Sequence, residues 1–316
     1  MHKFTPRALV LLGPTASGKT ALALELAKLI SIEIISLDSA LVYKGMDIGT
    51  AKPSKEELAK VPHHLIDICE PNESYSAASF REDTIRLVNE ICQRGNLPLI
   101  CGGTMMYYKA LVDGLSPLPA TDEKVREKIR LEGETLGWPV LHERLKTIDP
   151  ALYKKLAPMD KQRISRALEV YEMTGRSVSS FIEEHQGDKC PFPIKEAVIL
   201  PDADRLELRK LIYERFLKML ENGLIAEVEK LRARGDLNLN LPSMRSVGYR
   251  QVWEYLDGLY SYEEMIDKAV IATARLAKHQ MTWLRGGLKA DRLVLSLRQK
   301  DAKVKLLELA QSVLNL

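Results

Sequence analysis

The sequence predicts an α/β fold built on a parallel sheet, and three observations carry that expectation. Strand-length apolar runs recur through the first hundred or so residues, helical patterns alternate with them, and the first run leads into a glycine-rich turn that opens a helix. The runs lie at residues 8–12, 32–37, 65–68, 97–101 and 197–200, several of them with Ile, Leu and Val on consecutive positions. Consecutive apolarity fits strands covered on both faces. Between the first four lie helical patterns at 20–29, a single turn at 55–60, and 80–94.

The alternation stops after Gly114. A turn-rich SPLPATD passage follows, then charged, helical sequence with no convincing strand before residues 193–200. Asp160 can cap a helix through Met173, which Gly175 ends. Residues 115–193 are therefore expected to form a helical insertion domain, with 1–114 and 194–316 supplying an α/β core and its C-terminal helices. Those helices are expected at 204–222, stopped by Asn222 and Gly223, at 224–234, stopped by Gly235, and at 262–285, ended by Gly286 and Gly287.

At 316 residues the chain is long enough for two domains of ~150 residues. With 46% hydrophobic and 28% charged residues, it is neither disordered nor collagen-like. The net charge of +3 is too small to indicate a nucleic-acid partner; only the distribution of the cations can do so. Cys69, Cys92, Cys101 and Cys190 show no CxxC spacing, so neither a zinc site nor a disulfide framework is expected, and a reducing compartment is. The N-terminal apolar run lacks the length and cleavage site of a signal peptide, and no stretch approaches the ~20 apolar residues of a membrane span. The expectation is a soluble, cytoplasmic protein with no membrane partner.

Gly13, Pro14, Thr15, Ala16, Ser17, Gly18, Lys19 and Thr20 fit GxxxxGK[ST] in full, between a strand pattern and a helix pattern. The glycines let the backbone fold around an anion, and the helix N-terminus aims N–H groups at it. Lys19 adds a full charge, and the Thr20 hydroxyl can hold a metal beside the phosphates. The core is thus P-loop NTPase-like. The loop calls for two linked phosphates without identifying what carries them. No NKxD segment reads guanine. The second strand pattern ends in Asp38, in a sheet of the kind that binds ligands at its carboxyl edge. A carboxylate there can take a proton from an incoming nucleophile, or serve as a turn acid. Gly102, Gly103 and Thr104 form a second turn at a strand end, suited to an anion or to a close backbone approach.

Three basic clusters follow. Gln162 and Arg166 share one helical face, beside an apolar face of Ile164, Ala167, Leu168 and Tyr171. Arg245, Ser246, Val247, Gly248, Tyr249 and Arg250 interleave cations with an aromatic ring, with Trp253 one turn on. Arg275, Lys278, Thr282 and Arg285 form a stripe next to the apolar Val270, Ala274, Ala277, Met281 and Leu284. One such face is ordinarily just solvated; three, two of them with aromatics, favour a phosphate backbone with unstacked bases. Arg215 takes an apolar slot in the stripe Leu208, Ile212, Arg215, Met219, a cation aimed at the core side that wants a phosphate or an ion pair. His63 and His64 lack a third ligand at metal spacing and are expected to be buried or capping.

Taken together, GPTASGKT, DSALVYKGMDIGTAKP (38–53), CGGTMMYY (101–108), QRISRALEVYEMTG (162–175), LPSMRSVGYRQVWEYL (241–256) and ATARLAKHQMTWLR (272–285) resemble the bacterial tRNA dimethylallyltransferases over nearly the whole chain. The resemblance implies a P-loop α/β core with a helical insertion. It implies transfer of a dimethylallyl group from dimethylallyl diphosphate to N6 of adenine 37, just 3′ of the anticodon, with Mg²⁺ required. Residues 13–20 would hold the diphosphate with Arg215; Asp38 would be the general base, with Lys19, Thr20 and Thr104 completing the catalytic set and Thr20 on the metal. Asp38, Ser39, Ala40 and Leu41 would contact tRNA, as would Thr104, Arg126, Gln162, Arg163, Ile164, Ser165 and Arg166. So would the cluster from Arg245 to Arg250, and Lys278, His279, Gln280, Met281, Thr282, Trp283, Leu284 and Arg285. Many members carry Gln at the place of Leu41 and Arg at that of Leu211. The expected partners are a tRNA anticodon stem-loop and dimethylallyl diphosphate, the expected state a monomer. Two other readings of the residues remain at this point: a small-molecule kinase with ATP in the loop, and a non-catalytic RNA-binding nucleotide switch.

Overall fold

The computed structural model describes residues 5–116, 118–184, 188–201, 205–286, 292–296 and 301–315. Six parallel strands form one sheet: β1 (Ala8–Leu12), β2 (Ile32–Leu37), β3 (His63–His64), β4 (Leu97–Gly102), β5 (Ile194–Ile199) and β6 (Leu293–Leu295), in the order β3-β2-β4-β1-β5-β6. Every residue of β1 and β2 is buried, which is why their sequences do not alternate. The chain folds as two compact units, one of residues 1–111 with 191–316 and one of Val112–Cys190, where the sequence suggested 115–193.

In the first unit, α1 (Lys19–Ala27) follows β1, α2 (Lys55–Lys60) precedes β3, α3 (Ala77–Gln93) leads to β4, and α4 (Met105–Asp113) leaves β4. The single turn expected at 55–60 is a helix because Ser54 and Glu57 form a reciprocal capping box. The second unit holds α5 (Glu123–Leu136), α6 (Trp138–Ile148), α7 (Pro150–Lys155), α8 (Lys161–Thr174) and α9 (Val178–Glu184) around Ile129, Leu141, Leu145 and Ile164. Asp160 caps α8 and Gly175 ends it in the left-handed conformation, the signals legible in the sequence. After β5 come α10 (Arg205–Glu221), α11 (Leu224–Arg232), α12 (Tyr249–Leu256), α13 (Tyr262–Gly286) and, beyond β6, α14 (Ala302–Leu314).

Among the described residues, two apolar clusters of the first unit bear on the site. One packs the sheet against α1 and α14. The other packs Val42, Tyr43 and Met46 against α10–α13 and so folds the long irregular run after β2 onto the C-terminal helices. The strand expected at 65–68 does not form. Leu65 and Asp67 hold φ of 62° and 54°, outside strand geometry, and the amides of Asp67 and Ile68 donate to the carbonyls of Leu41 and Val42 instead. Pairing with β2 is made just before this segment, by His63 and His64. Helices α4, α12 and α14 and strand β6 had no counterpart in the sequence reading. Among the described residues, no helix is long and apolar enough to cross a membrane.

Candidate active site at the phosphate loop

Three turns meet at the carboxyl ends of β1, β4 and β2, which are adjacent in the sheet. Gly13 N–H donates to the Gly102 carbonyl at 3.2 Å, and Gly103 and Thr104 N–H both reach the Leu37 carbonyl at 3.1 Å. This approach admits no side chain at 103: a Cβ there would lie 2.7 Å from the Gly13 oxygen and 2.7 Å from Gln280 Nε2. The loop from Gly13 to Gly18 then turns into α1 through two left-handed residues, Ala16 at φ 61° and Gly18 at φ 71°. Such backbone in a residue with a Cβ is uncommon and concentrates at ligand sites.

Gly18 offers α1 no side-chain cap, so the first-turn amides remain for an anion. The buried Ser17 hydroxyl has no hydrogen-bond partner among the described residues. Lys19 Nζ donates to the Pro14 carbonyl at 3.1 Å, folding back over the loop. Burial lowers the Lys19 ammonium below its usual range, Cys101 and Asp38 pull it back up, and Arg215 lowers it further. A bound diphosphate would supply the countercharge this lysine lacks. Thr20 is exposed at the head of α1, and its hydroxyl bonds to no described residue.

Asp38 follows β2 and is half-buried. Its Oδ1 accepts from the Ala40 amide at 2.8 Å. The Ser39 amide donates to the Thr104 hydroxyl at 3.0 Å. Burial, countered by Lys19 and reinforced by Asp38, pushes the Cys101 thiol up to about 11. Lys19, Asp38 and Cys101 thus lie within electrostatic reach of one another, and Arg215 within reach of Lys19 and Asp38.

Arg215 requires a correction. Leu208 and Ile212 are buried as the stripe requires, but Arg215 is solvent-accessible rather than turned into the core. It lines a groove of about 560 Å³ with Asp47, Ile48, Lys52, Lys218 and Met219. The surrounding protein lowers its guanidinium pKa, which the Asp38 charge partly restores. Among the described residues it has no ion pair or hydrogen bond, so the ion-pair alternative does not hold.

The irregular run after Asp38 is held by two devices without a sequence signal. Glu227 of α11 accepts from the amides of Asp47, Ile48 and Gly49, and from the Tyr249 hydroxyl. Lys52, 4% exposed, bridges Asp47, Asp67 and the Tyr43 carbonyl.

The proposed RNA-contacting residues divide. Arg275, Lys278, Thr282 and Arg285 are all exposed along α13, with Val270, Ala277 and Leu284 buried behind them. None of the three cations pairs with a described carboxylate. His279 and Trp283 are also exposed and Met281 is half-buried, whereas Gln280 turns inward. Arg245 and Arg250 are exposed and Ser246 and Val247 half-buried, but Gly248 and Tyr249 are buried. Tyr249 is 0% exposed with its hydroxyl committed to Glu227, so it cannot stack on a base, a second correction. In the second unit, Arg126, Gln162 and Arg163 are exposed; Ser165 is half-buried and Arg166 is spent on Glu169 and the Pro119 carbonyl. Ile164 and Leu284 are 0% exposed and serve their cores rather than a partner. Tyr171, assigned to the apolar face, is 38% exposed, and Val170 packs inward instead. The rings of His63 and His64 bond the Val61 carbonyl and Glu33.

A P-loop at the carboxyl edge of a parallel sheet, with a carboxylate at a neighbouring strand end and exposed cations along α13 that pair with no described carboxylate, is the kind of site that binds phosphates. The IPP transferase family model matches residues 41–287. The chain is 34% identical to the full-length tRNA isopentenylpyrophosphate transferase of Bacillus halodurans, covering 98% of this chain and 96% of that one with a TM-score of 0.69. Identity is 32% with the tRNA delta(2)-isopentenylpyrophosphate transferase of Staphylococcus epidermidis, over 98% and 99% of the two chains, with a TM-score of 0.68. A eukaryotic dimethylallyltransferase acting on tRNA matches at 25% identity and a TM-score of 0.80, over 98% of this chain and 79% of that one. With those matches the chain belongs to the IPP transferase family.

Proposed function

We propose that the chain transfers a dimethylallyl group from dimethylallyl diphosphate to N6 of adenine 37 in a tRNA anticodon stem-loop, releasing diphosphate. Family membership makes it a transferase that prenylates adenine in tRNA. The finer reading rests on one observation: the Leu37–Gly103 and Ser39–Thr104 hydrogen bonds tie the turn that carries Asp38 to the strand end whose Gly102 carbonyl accepts from Gly13 of the phosphate loop, so the acid stands beside the loop that carries Lys19.

In that site the loop amides, Lys19 and Arg215 bind the diphosphate and stabilise the negative charge that grows as the allylic C–O bond breaks. Adenine N6 is a poor nucleophile because its lone pair is delocalised into the ring. Asp38 takes the N6 proton as the new C–N bond forms, an effect worth ~10²–10⁴-fold. Its Oδ2 accepts no hydrogen bond from a described residue, which leaves it open for that proton. A base in a single-stranded loop leaves its stack cheaply, and a closed site keeps water from the allylic carbon.

The residues fit Mg²⁺ held by the substrate rather than by a protein cage. No cluster of three or more metal-ligating side chains exists among the described residues, and the partner-free Thr20 hydroxyl suits an ion that keeps most of its waters and phosphate ligands. When bound, the ion neutralises charge on the leaving diphosphate.

The test incubates the protein with labelled dimethylallyl diphosphate, Mg²⁺ and unmodified tRNA. Label in the RNA at adenine 37 is the expected result. ATP-dependent phosphoryl transfer to a small acceptor, with no label in RNA, would overturn the reading in favour of a kinase.

A further inference from the structure

Gln280 lies on α13 between the exposed cations Lys278 and Arg285, yet its side chain does not face the solvent with them. Its Oε1 accepts from the Thr15 amide of the phosphate loop at 2.9 Å, and its Nε2 donates to the Gly103 carbonyl at 2.9 Å. One carboxamide thus closes the gap between two strand-end turns, and the absence of a side chain at Gly103 gives it room. The next link is backbone: Gly103 and Thr104 donate to the Leu37 carbonyl, one residue before Asp38, and the Thr104 hydroxyl accepts from Ser39. A helix is rigid over the one to two turns that separate Gln280 from the cationic stripe. Gln280 is therefore a side-chain link between the helix that carries that stripe and the phosphate loop.

We propose that Gln280 is a positioning residue that couples occupancy of the cationic face of α13 to occupancy of the phosphate loop, so that RNA and the diphosphate bind cooperatively. The inference rests on the transferase reading above for the identity of its two ligands. Only a carboxamide of this length can accept from Thr15 and donate to Gly103 at once. A glutamate keeps the shape but loses the donor, and a methionine loses both partners. Coupling between two ligands is reciprocal, so one ratio measures it from either side.

The experiment measures the dissociation constant of inorganic diphosphate with Mg²⁺, in the presence and absence of a saturating unmodified anticodon stem-loop, for the full chain and for Gln280→Glu and Gln280→Met. The expected wild-type ratio is about 10-fold, within the usual range for coupled sites. In both variants it falls to within about twofold of unity, while each still binds the stem-loop and melts cooperatively. A general loss of fold would abolish both affinities and the melting transition together, and that outcome overturns the proposal in favour of a purely structural Gln280. A wild-type ratio retained in both variants also overturns it. A wild-type protein that labels tRNA but binds diphosphate equally with and without RNA removes the coupling and leaves the transferase reading standing.

Discussion

The Ser39 amide and the Thr104 hydroxyl are 3.0 Å apart and join the ends of β2 and β4 one residue beyond Asp38. The hydroxyl that suits an anion as a donor thus also serves, as an acceptor, to hold the acid's turn. Thr104→Val preserves shape and removes the acceptor. Since small misplacements of a catalytic group cost up to ~10²-fold, a fall in kcat of about 10-fold or more is expected, with tRNA affinity within about threefold of wild type. Thr104→Ser should recover most of the rate. Single-turnover kinetics with saturating RNA checks both; an unaltered kcat in Thr104→Val would show that Asp38 needs no such support.

Asp38→Ala should retain tRNA binding and lose at least ~100-fold in turnover, because proton removal from N6 then falls to water. Among the described residues the Asp38 carboxylate accepts one hydrogen bond, from the Ala40 amide, so its removal should leave folding little affected. A single-turnover rate equal to wild type would remove Asp38 from the base role.

Tyr249 and Glu227 give a different forecast from the one its basic, aromatic neighbourhood suggested. Tyr249→Phe keeps the buried ring and deletes the hydroxyl that meets Glu227 and the Gly49 amide. A loss of about 1–3 kcal/mol in unfolding free energy is expected, with stem-loop affinity unchanged. Denaturant unfolding and a binding titration separate this from a stacking role, which would weaken RNA binding without changing stability.

The legibility of this molecule follows from how far each signal reaches along the chain. The phosphate loop, the cap at Asp160 and the two faces of α13 are local patterns, and the sequence carried them intact. Tyr249 and Gln280 were visible only as members of basic segments. What they do depends on partners far away in sequence, Glu227 and Gly49 for one, Thr15 and Gly103 for the other, and no spacing rule announces such pairs. The core-facing placement expected of Arg215 did not hold for a related reason: helical periodicity predicts a face, but a groove at the edge of that face leaves Arg215 open to solvent. The strand expected at 65–68 failed because apolar composition does not register the left-handed backbone at Leu65 and Asp67.

The cations of α13 should behave as phosphate contacts that can be counted. Arg275, Lys278 and Arg285 are exposed and have no carboxylate partner among the described residues, so each is free to displace a counterion from RNA. Lys278→Ala or Arg285→Ala should weaken tRNA binding and lower the slope of log K against log salt by about 0.7–0.9 each. Arg250→Ala should lower it less, because Arg250 already pairs with Glu254 at 2.8 Å. Equal slopes for wild type and all three variants would make the face a merely solvated one.

Glu33 offers a test of the scaffold that does not involve the substrates. Its carboxylate is 4% exposed on β2 and takes hydrogen bonds from Arg94 and Asn96, with the His64 ring 2.7 Å away. The Arg94 hydrogen bond, above all, holds it down to about 2 from a usual 4.5, despite burial pushing the other way. A carboxyl depressed in the folded state stabilises fully above its unfolded value and loses that contribution as pH falls through the folded one. The window therefore runs from pH 4.5 down to about 2. The shift alone would be worth about 3 kcal/mol. Arg94 is 46% exposed, so solvent screening brings the expected contribution to on the order of 2 kcal/mol. Glu33→Gln should thus be less stable than wild type by about that amount at neutral pH, and the gap should close as the pH approaches the folded value. Taking the difference between the two proteins at each pH cancels the other titrating groups they share. A gap that stays constant down to pH 2 would mean that the Arg94 pair contributes shape but no pH-dependent stability.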